Sequence, residues 1–380
     1  MVNPQQKEDC QEIVALSPFN SAENPYLWLT KNALENLGYD VVPFDIGELL
    51  RSENVPNYVV LNWYEEIKGG MVRGAITFAK RYLKLFIART KKAKVILVIH
   101  NKVPHDGATN ATAALSRQFR LMLCNQANAI VGLCSKTLDV LSQAYPEMNK
   151  SNLQRKFHVV PHPSYEEYFK TIASDASISR LPGVVIKSQF VFLFVGQIRP
   201  YKNVELVLDV ARRFEKLDYD AVFIIAGKCH DQSYLEDINR KASSNVVLME
   251  GFIPDNEICT LIKASDALIL PYNTKSSLNS GTCMLAFTLD RTVICPKIGT
   301  LESIPAELVY CYDYDGSESH GQSLFDSATK AYFDKQNNPG RFAERGKSLG
   351  SKVRNDNSLS ATAIAWQAVL EAIGTNNEVK

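Results

Sequence analysis

The sequence predicts an α/β protein made of two doubly wound, Rossmann-like parallel sheets in series, facing each other across a cleft. Three observations carry this. Short β-rich apolar runs alternate with helical periodicity almost from end to end. The rhythm stops at "TIASDASISRLPGVVIK", residues 171–187, rich in small and polar residues, and then begins again. The chain is 380 residues long, enough for two domains of ordinary size. We therefore expect an N-terminal domain over residues 1–175, a second over 185–350, and a C-terminal helix within 351–380 that packs back toward the first.

In the first half, "EIVALSP" reads as a strand and "NPYLWLTKNALENLGY" as a helix closing at Gly38. "DVVPFD" and "YVVLNWY" are strands, followed by a long helix within residues 71–90. "AKVILVIHN" is a strand, then comes a helix near 110–126, then "AIVGLC", another short helix, and "FHVVPHPSY". The second half repeats the pattern with "FVFLFVG", "AVFIIAG", "VVLMEGF", "ALILPY" and "TVICPK" as strands. Helices separate them near 203–216, 232–242, 255–264 and 281–289. Neither half has a G-x-G-x-x-G after its first strand, which weighs against a dinucleotide site.

Composition excludes several classes. The chain is 46% hydrophobic and 22% charged with a formal net charge of +1, so no global field favours nucleic acid. Its eight cysteines are scattered without a C-x-x-C pair, as expected of reduced thiols in a cytoplasmic protein. The N-terminus "MVNPQQKEDCQE" is polar, unlike a secretory signal. No run reaches the roughly 18 apolar residues of a membrane span.

Two loops look made to hold an anion. In "FVFLFVGQIRPYKNVELVLDVARRF" a buried strand ends at Gly196 and a tight turn presents Arg199 and Lys202 before a helix. A fork and a point charge at a strand end suit a diphosphate, although two cations in a turn are also a common solvated feature. In "PYNTKSSLNSGTCMLAFTLD" five small polar residues, Ser276, Ser277, Asn279, Ser280 and Thr282, crowd around Gly281, where a helix opens. An ordinary helix cap needs one such residue. A helix N-terminus favours negative charge. Two anion-ready loops in one domain argue for a nucleotide diphosphate.

These stretches resemble the GT-B glycosyltransferases, in particular the large family-four type (glycosyl transferases group 1). "VGQIRPYKN" resembles that family's glycine, basic-residue, lysine segment, with Lys202 at the place of its phosphate-binding lysine. "VVLMEGFIPDNEICTLIKASDALILPY" resembles the segment leading to the base pocket, with Gly251 and Phe252 in the matching positions, and "RTVICPKIGTLESI" the stretch ending in Glu302. In the first half, "NPYLWLTKNALENLGYDVV", "VVLNWYEEI" and "VILVIHNKVPHD" resemble a subgroup that extends lipid-linked saccharides in bacterial polysaccharide assembly. The resemblance implies a donor set of Gly196, Arg199, Lys202, Gly251, Phe252, Tyr272, Ser277, Asn279, Ser280, Gly281, Thr282 and Glu302. It implies an acceptor set of Asn24, His100, Asn101 and His162. His162 sits just before the linker and is open to a donor-side role too.

Two departures stand out. The family's two glutamates across the donor loop are Ser277 and Leu285 here, and the arginine expected after Gly196 is Gln197, with Arg199 the nearby replacement. The stereochemical outcome is therefore open. An inverting transferase needs a base on the acceptor hydroxyl, and His105 or Asp106 in "HNKVPHDG" is the candidate, with Glu65 and Glu66 as rivals that read more readily as surface charges. Asp313-x-Asp315 reads as a turn rather than a metal site. Arg199 and Lys202 with the helix N-terminus can neutralise a leaving diphosphate, so no metal and no cofactor is expected, the nucleotide-sugar being a substrate.

The basic, aromatic helix over 74–94 could touch an anionic membrane surface or simply cover the sheet with a solvated basic face. The reading is thus a hexosyltransferase moving sugar from a GDP- or UDP-sugar to a saccharide or lipid-linked acceptor, cytoplasmic or at the inner face of the membrane, with no nucleic-acid partner. The rivals are a catalytically silent partner subunit, supported by the missing carboxylates, and a nucleotide-sugar epimerase on the same scaffold.

Overall fold

A computed structural model describes residues 11–19, 24–51, 55–103, 110–172 and 190–374. The chain forms two compact units. The first holds Met1–His100, Pro104–Pro161 and Leu359–Lys380, and the second holds Asn101–Val103 and His162–Ser358.

The first unit is a six-stranded, all-parallel sheet of β1 (Ile13–Ser17), β2 (Asp40–Pro43), β3 (Tyr58–Asn62), β4 (Lys94–Ile99), β5 (Ala129–Gly132) and β6 (Phe157–Val159), in the order β2-β1-β3-β4-β5-β6. β3 and β5 are buried along their whole length, which is why they read as unbroken apolar runs rather than alternating ones. Helix α1 (Pro25–Glu35) starts at Asn24, whose side-chain oxygen accepts from the Tyr26 N–H at 3.1 Å. A short helix the periodicity did not reveal, α2 (Ile46–Arg51), follows β2. The long α3 (Met71–Thr90) and α4 (Asn110–Gln126) come next. Two short helices, α5 (Lys136–Ala144) and α6 (Lys150–Lys156), stand where one was expected.

The second unit is also six-stranded and parallel. Its strands are β7 (Phe190–Val195), β8 (Ala221–Gly227), β9 (Val246–Glu250), β10 (Ala267–Ile269), β11 (Thr292–Pro296) and β12 (Tyr310–Tyr312), in the order β12-β11-β10-β7-β8-β9. Between β7 and β8 lies α8 (Val204–Lys216), after the short α7 (Glu166–Thr171). Val204, Val207, Leu208, Ala211 and Phe214 repeat at helical spacing and are fully buried. Phe192 stacks on Phe223 across the strands at 4.5 Å between ring centres, and Phe214 meets both edge-on. The remaining helices are α9 (Gln232–Lys241), α10 (Asp255–Ala264), α11 (Gly281–Thr288), α12 (Ser317–Asn337) and α13 (Pro339–Asp356).

Strand order reverses between β7 and β10. The chain winds outward from β7 through β8 to β9, then returns to lay β10, β11 and β12 on the other side. Such a reversal opens a crevice at the carboxyl ends of the two central strands. The loops after β7 and β10 are the two anion-ready loops.

The unit limits differ from 175 and 351 for packing reasons. Residues from His162 onward lie under α11: the Tyr165 N–H donates to Thr288 Oγ1 at 3.1 Å, and Asn357 Nδ2 donates to the His162 carbonyl at 2.9 Å. Helix α13 stays with the second unit, where a Cβ on Gly346 would fall 2.2 Å from the Asp290 carbonyl oxygen. The last helix, α14 (Leu359–Gly374), belongs to the first unit. Its Trp366 is fully buried in one cluster with Leu27, Leu34, Val60 and Ile96.

Candidate active site

The second unit builds its site on glycines that end three neighbouring strands. Gly196, Gly227 and Gly251 follow or close β7, β8 and β9, all with positive φ. A Cβ on Gly227 would lie 1.8 Å from the Gly196 carbonyl oxygen, so the two strand ends can approach only without side chains. From Gly196 the chain turns through Ile198, which is buried, to Arg199 and the short 3-10 turn Pro200–Lys202. Asn203 closes the turn in the left-handed region at φ 54°, and its Nδ2 donates to the Pro271 carbonyl at 2.8 Å. That bond ties the loop after β7 to the loop after β10.

Lys202 sits between two aromatic rings, its ammonium 4.7 Å from the centre of Tyr272 and 5.5 Å from that of Tyr201. Burial lowers its pKa from 10.5 to about 8; the Cys283 thiol partly offsets this and Arg199 adds repulsion. A desolvated cation beside a second one is stabilised by an anion. Arg199 adds a second demand of the same sign. Its Nε is buried and has no hydrogen-bond partner among the described residues, a donor that folding alone leaves unsatisfied.

The loop after β10 is more committed to its own fold than its composition implied. The Asn273 carbonyl accepts from the N–H groups of Ser276 (3.1 Å) and Ser277 (2.8 Å) and from the Ser276 hydroxyl (3.4 Å). Ser280 Oγ shares a 2.7 Å bond with the Tyr272 hydroxyl and accepts from the Cys283 N–H, capping α11. Ser280 N–H is itself taken by Thr300 Oγ1 at 2.8 Å. Ser276, Ser277 and Ser280 therefore shape the loop through these bonds. What the loop presents is the N-terminus of α11 at Gly281 and Thr282. Gly281 is required by close approach: a Cβ there would lie 2.8 Å from the Tyr165 hydroxyl oxygen.

Several members of the site were not visible in sequence. Tyr314 donates from its hydroxyl to the Tyr272 carbonyl (3.2 Å) and accepts from the Thr274 N–H (2.9 Å), while its ring stacks on His320 at 3.8 Å. Asn203 and Tyr165 serve in the same way. No motif spacing marks residues that act by bracing a loop from another strand.

The other predicted donor residues spread along the strand ends. Phe252, just after Gly251, is 63% exposed. It follows β9, two strands from β7, roughly 10 Å away at ordinary strand spacing. Glu302 is exposed at the end of the turn Gly299–Leu301 after β11. Asp313 pairs with Lys297, and the N–H groups of Asp315 and Gly316 both donate to Ser319 Oγ at the start of α12.

The acceptor set changes more. His162 lies in the second unit, buried beneath α11, with Nδ1 donating to the Pro163 carbonyl at 2.8 Å; burial pushes its pKa down to about 4. This corrects its acceptor-side placement. It is a neutral imidazole whose Nε2 would lie 3.6 Å from a Cβ on Gly281. Asn24 spends its carboxamide oxygen on capping α1. Asn101 is buried and groups with the second unit.

His100 ends β4 in the first unit, with Nε2 2.9 Å from Asn62 Oδ1 and its ring stacked on Trp63 at 3.9 Å. Asn62 Nδ2 is buried without a partner among the described residues. His105 and Asp106 lie outside the described residues. Glu65 and Glu66 are buried, not surface charges: Glu65 pairs with buried Arg120 at 2.8 Å, and Glu66 with Lys68 at 3.1 Å. A cavity of about 350 Å³ in the first unit, lined in part by Val42, Phe44, Asp45 and Glu48, contains no predicted site residue.

Comparison with known proteins bears on the family and the fold. Residues 179–277 match the family model described as glycosyl transferases group 1. Curated relatives include the GDP-mannose:glycolipid 4-beta-D-mannosyltransferase of Xanthomonas campestris pv. campestris, 24% identical over 286 residues that cover 73% of this chain and 71% of that protein. Among solved structures, Anabaena HepE in complex with UDP-glucose superposes with a TM-score of 0.64 at 13% identity, over 96% of this chain and 99% of that one. Sucrose-phosphate synthase from Thermosynechococcus elongatus gives 0.67 at 11%, over 97% and 100%.

The family match, the relatives and the fold make this chain a glycosyltransferase of the GT-B fold. Its second unit carries the glycosyl transferases group 1 segment, and that segment contains the β7 loop and most of the loop after β10.

Proposed function

We propose that this glycosyltransferase moves a mannosyl residue from GDP-mannose to a saccharide on a glycolipid, with inversion and without a metal ion. The observation that carries the reading is the convergence, at the strand-order reversal, of half-buried Lys202, the unpartnered Arg199 Nε and the N-terminus of α11. These groups neutralise the diphosphate as it departs. The choice of GDP-mannose and glycolipid follows the name of the curated relative. Phe252 supplies an exposed ring for the base.

In the reaction, the acceptor hydroxyl gives its proton to a base and its oxygen attacks the anomeric carbon. The bond from that carbon to the phosphate oxygen breaks, and its electron pair leaves with GDP. A β-linked product from an α-linked nucleotide-sugar requires inversion, and hence that base. We assign it to His105 or Asp106. Leu285 and Ser277, in place of two glutamates, remove the carboxylates that would otherwise meet donor sugar and ribose. The same replacements favour the second reading, a silent partner subunit.

The deciding test is thermal shift with GDP, UDP and ADP, each with a chelator, followed by transfer from GDP-mannose to a lipid-linked oligosaccharide. A GDP-selective shift that survives chelator, with mannose found in the lipid fraction, supports the reading. A shift without transfer to any acceptor supports the silent subunit, and a shift that requires magnesium overturns metal independence. Mannose in the product that disappears in His105→Ala or Asp106→Asn, with the GDP shift kept, identifies the base.

A further inference from the structure

Helix α3 runs against the ordinary rule for a helix covering a sheet. Such a helix turns its apolar stripe inward and its polar face to water. Here Gly74, Leu85 and Ala88 are buried, yet Met71, Val72, Ile76, Tyr82, Leu83 and Phe86 are between 42% and 74% exposed. At 3.6 residues per turn these six fall within an arc of about 140°. Ala75 and Ala79 are exposed between them, so no polar residue interrupts the stripe. A contiguous exposed apolar face of this length on a chain of ordinary composition marks a docking surface.

The charge around the stripe says what docks. The helix carries Arg73, Lys80, Arg81, Lys84 and Arg89 and no acidic residue, in a chain whose formal net charge is only +1. Arg81 turns inward and donates to the Glu66 carbonyl at 2.8 Å, and Lys84 donates to the Phe44 carbonyl at 3.1 Å. Arg73 and Lys80 remain exposed along one edge of the stripe, and Lys92 just past its end. An apolar face rimmed by cations complements an anionic lipid surface, where the rim meets headgroups and the stripe enters the acyl boundary. A second copy of the same helix would set cation against cation.

We propose that α3 lays this protein on an anionic bilayer surface through the Met71–Phe86 stripe. The inference rests on the glycolipid-acceptor reading for its purpose. A helix crossing back from β3 to parallel β4 starts at the carboxyl ends of the strands, the end where His100 and Asn62 sit. Met71 and Val72 therefore enter the bilayer on the side of the first unit that would receive a lipid-borne sugar.

The test is flotation of the full chain with vesicles of equal parts phosphatidylglycerol and phosphatidylcholine, and with phosphatidylcholine alone, beside the GDP thermal shift. The expected result is binding to the anionic vesicles that weakens with salt. Binding should drop about tenfold or more in Ile76→Glu/Leu83→Glu and in Phe86→Glu, and markedly in Arg73→Glu/Lys80→Glu. The GDP shift should be unchanged in all three, and amide-exchange protection of β3 and β4, the strands α3 connects, should be kept, which shows that the first unit still folds. Wild-type protein that stays with the buffer, or variants that float as well as wild type, would overturn the proposal. So would a wild-type dimer that the same variants convert to monomer without vesicle binding. Flotation without any nucleotide shift would leave docking standing and remove the transferase reading instead.

Discussion

The Lys202 ammonium lies 4.7 Å from the centre of the Tyr272 ring, and the Tyr272 hydroxyl lies 2.7 Å from Ser280 Oγ. Through these two contacts the cation of the β7 loop and the helix cap of the β10 loop are held in one constellation. Loss of Lys202 should therefore remove charge from the leaving group without unfolding the unit. We expect Lys202→Ala to lower kcat by about 10²–10³-fold, with a diminished GDP shift. Lys202→Arg should restore little, because a planar fork does not fit a point-charge place between two rings. Wild-type turnover in Lys202→Ala would remove the site assignment.

Proton linkage at the same lysine gives a second expectation. Its folded-state pKa of about 8 lies below the ordinary 10.5, so the unfolded chain holds this proton more tightly than the folded one. The ligand-free protein is penalised below pH 8, and the penalty fades as pH rises from there toward 10.5. Lys202→Met should then raise the ligand-free melting temperature near neutrality, with the gain shrinking in melts recorded at increasing pH. Donor affinity runs the other way and weakens as the lysine loses its proton above pH 8.

Gly227→Ala should be severe for a reason unrelated to chemistry. A Cβ 1.8 Å from the Gly196 carbonyl oxygen cannot be accommodated without moving β7 or β8. A destabilisation of roughly 3 kcal/mol or more is expected, read as a lower unfolding midpoint together with loss of the GDP shift.

Trp366→Ala should act on the first unit. A fully buried tryptophan in a packed cluster typically costs about 3–5 kcal/mol on truncation to alanine, and Trp366 packs with Leu27, Leu34 and Ile96. Hydrogen exchange should show lost protection in β1, β3 and β4 while nucleotide still shifts the second unit. Equal loss in both units would contradict the assignment of α14 to the first.

Both sheets were legible because each strand is a short buried run and each crossover a helix, and local pattern reports burial of that kind directly. "FVFLFV" and "AVFIIAG" could hardly be anything but central parallel strands. The two loops were legible too, since glycine, cations and a helix cap have local signatures. Residues whose partners lie far along the chain were not. His162 gave no sign that it lies under Gly281, nor Glu65 that Arg120, 55 residues later, would bury with it.

Local pattern was enough for the α/β alternation, the two-part division and the places where cations and a helix N-terminus would stand. Tertiary structure alone decided which strands are neighbours, and so that the loops after β7 and β10 meet at the reversal of strand order. It also decided which small polar residues are used up in shaping the loop and which face of α3 is left uncovered. The physical reason is the same in each case. Propensity and periodicity act over a few residues, whereas hydrogen-bond satisfaction and burial are settled between segments that only folding brings together.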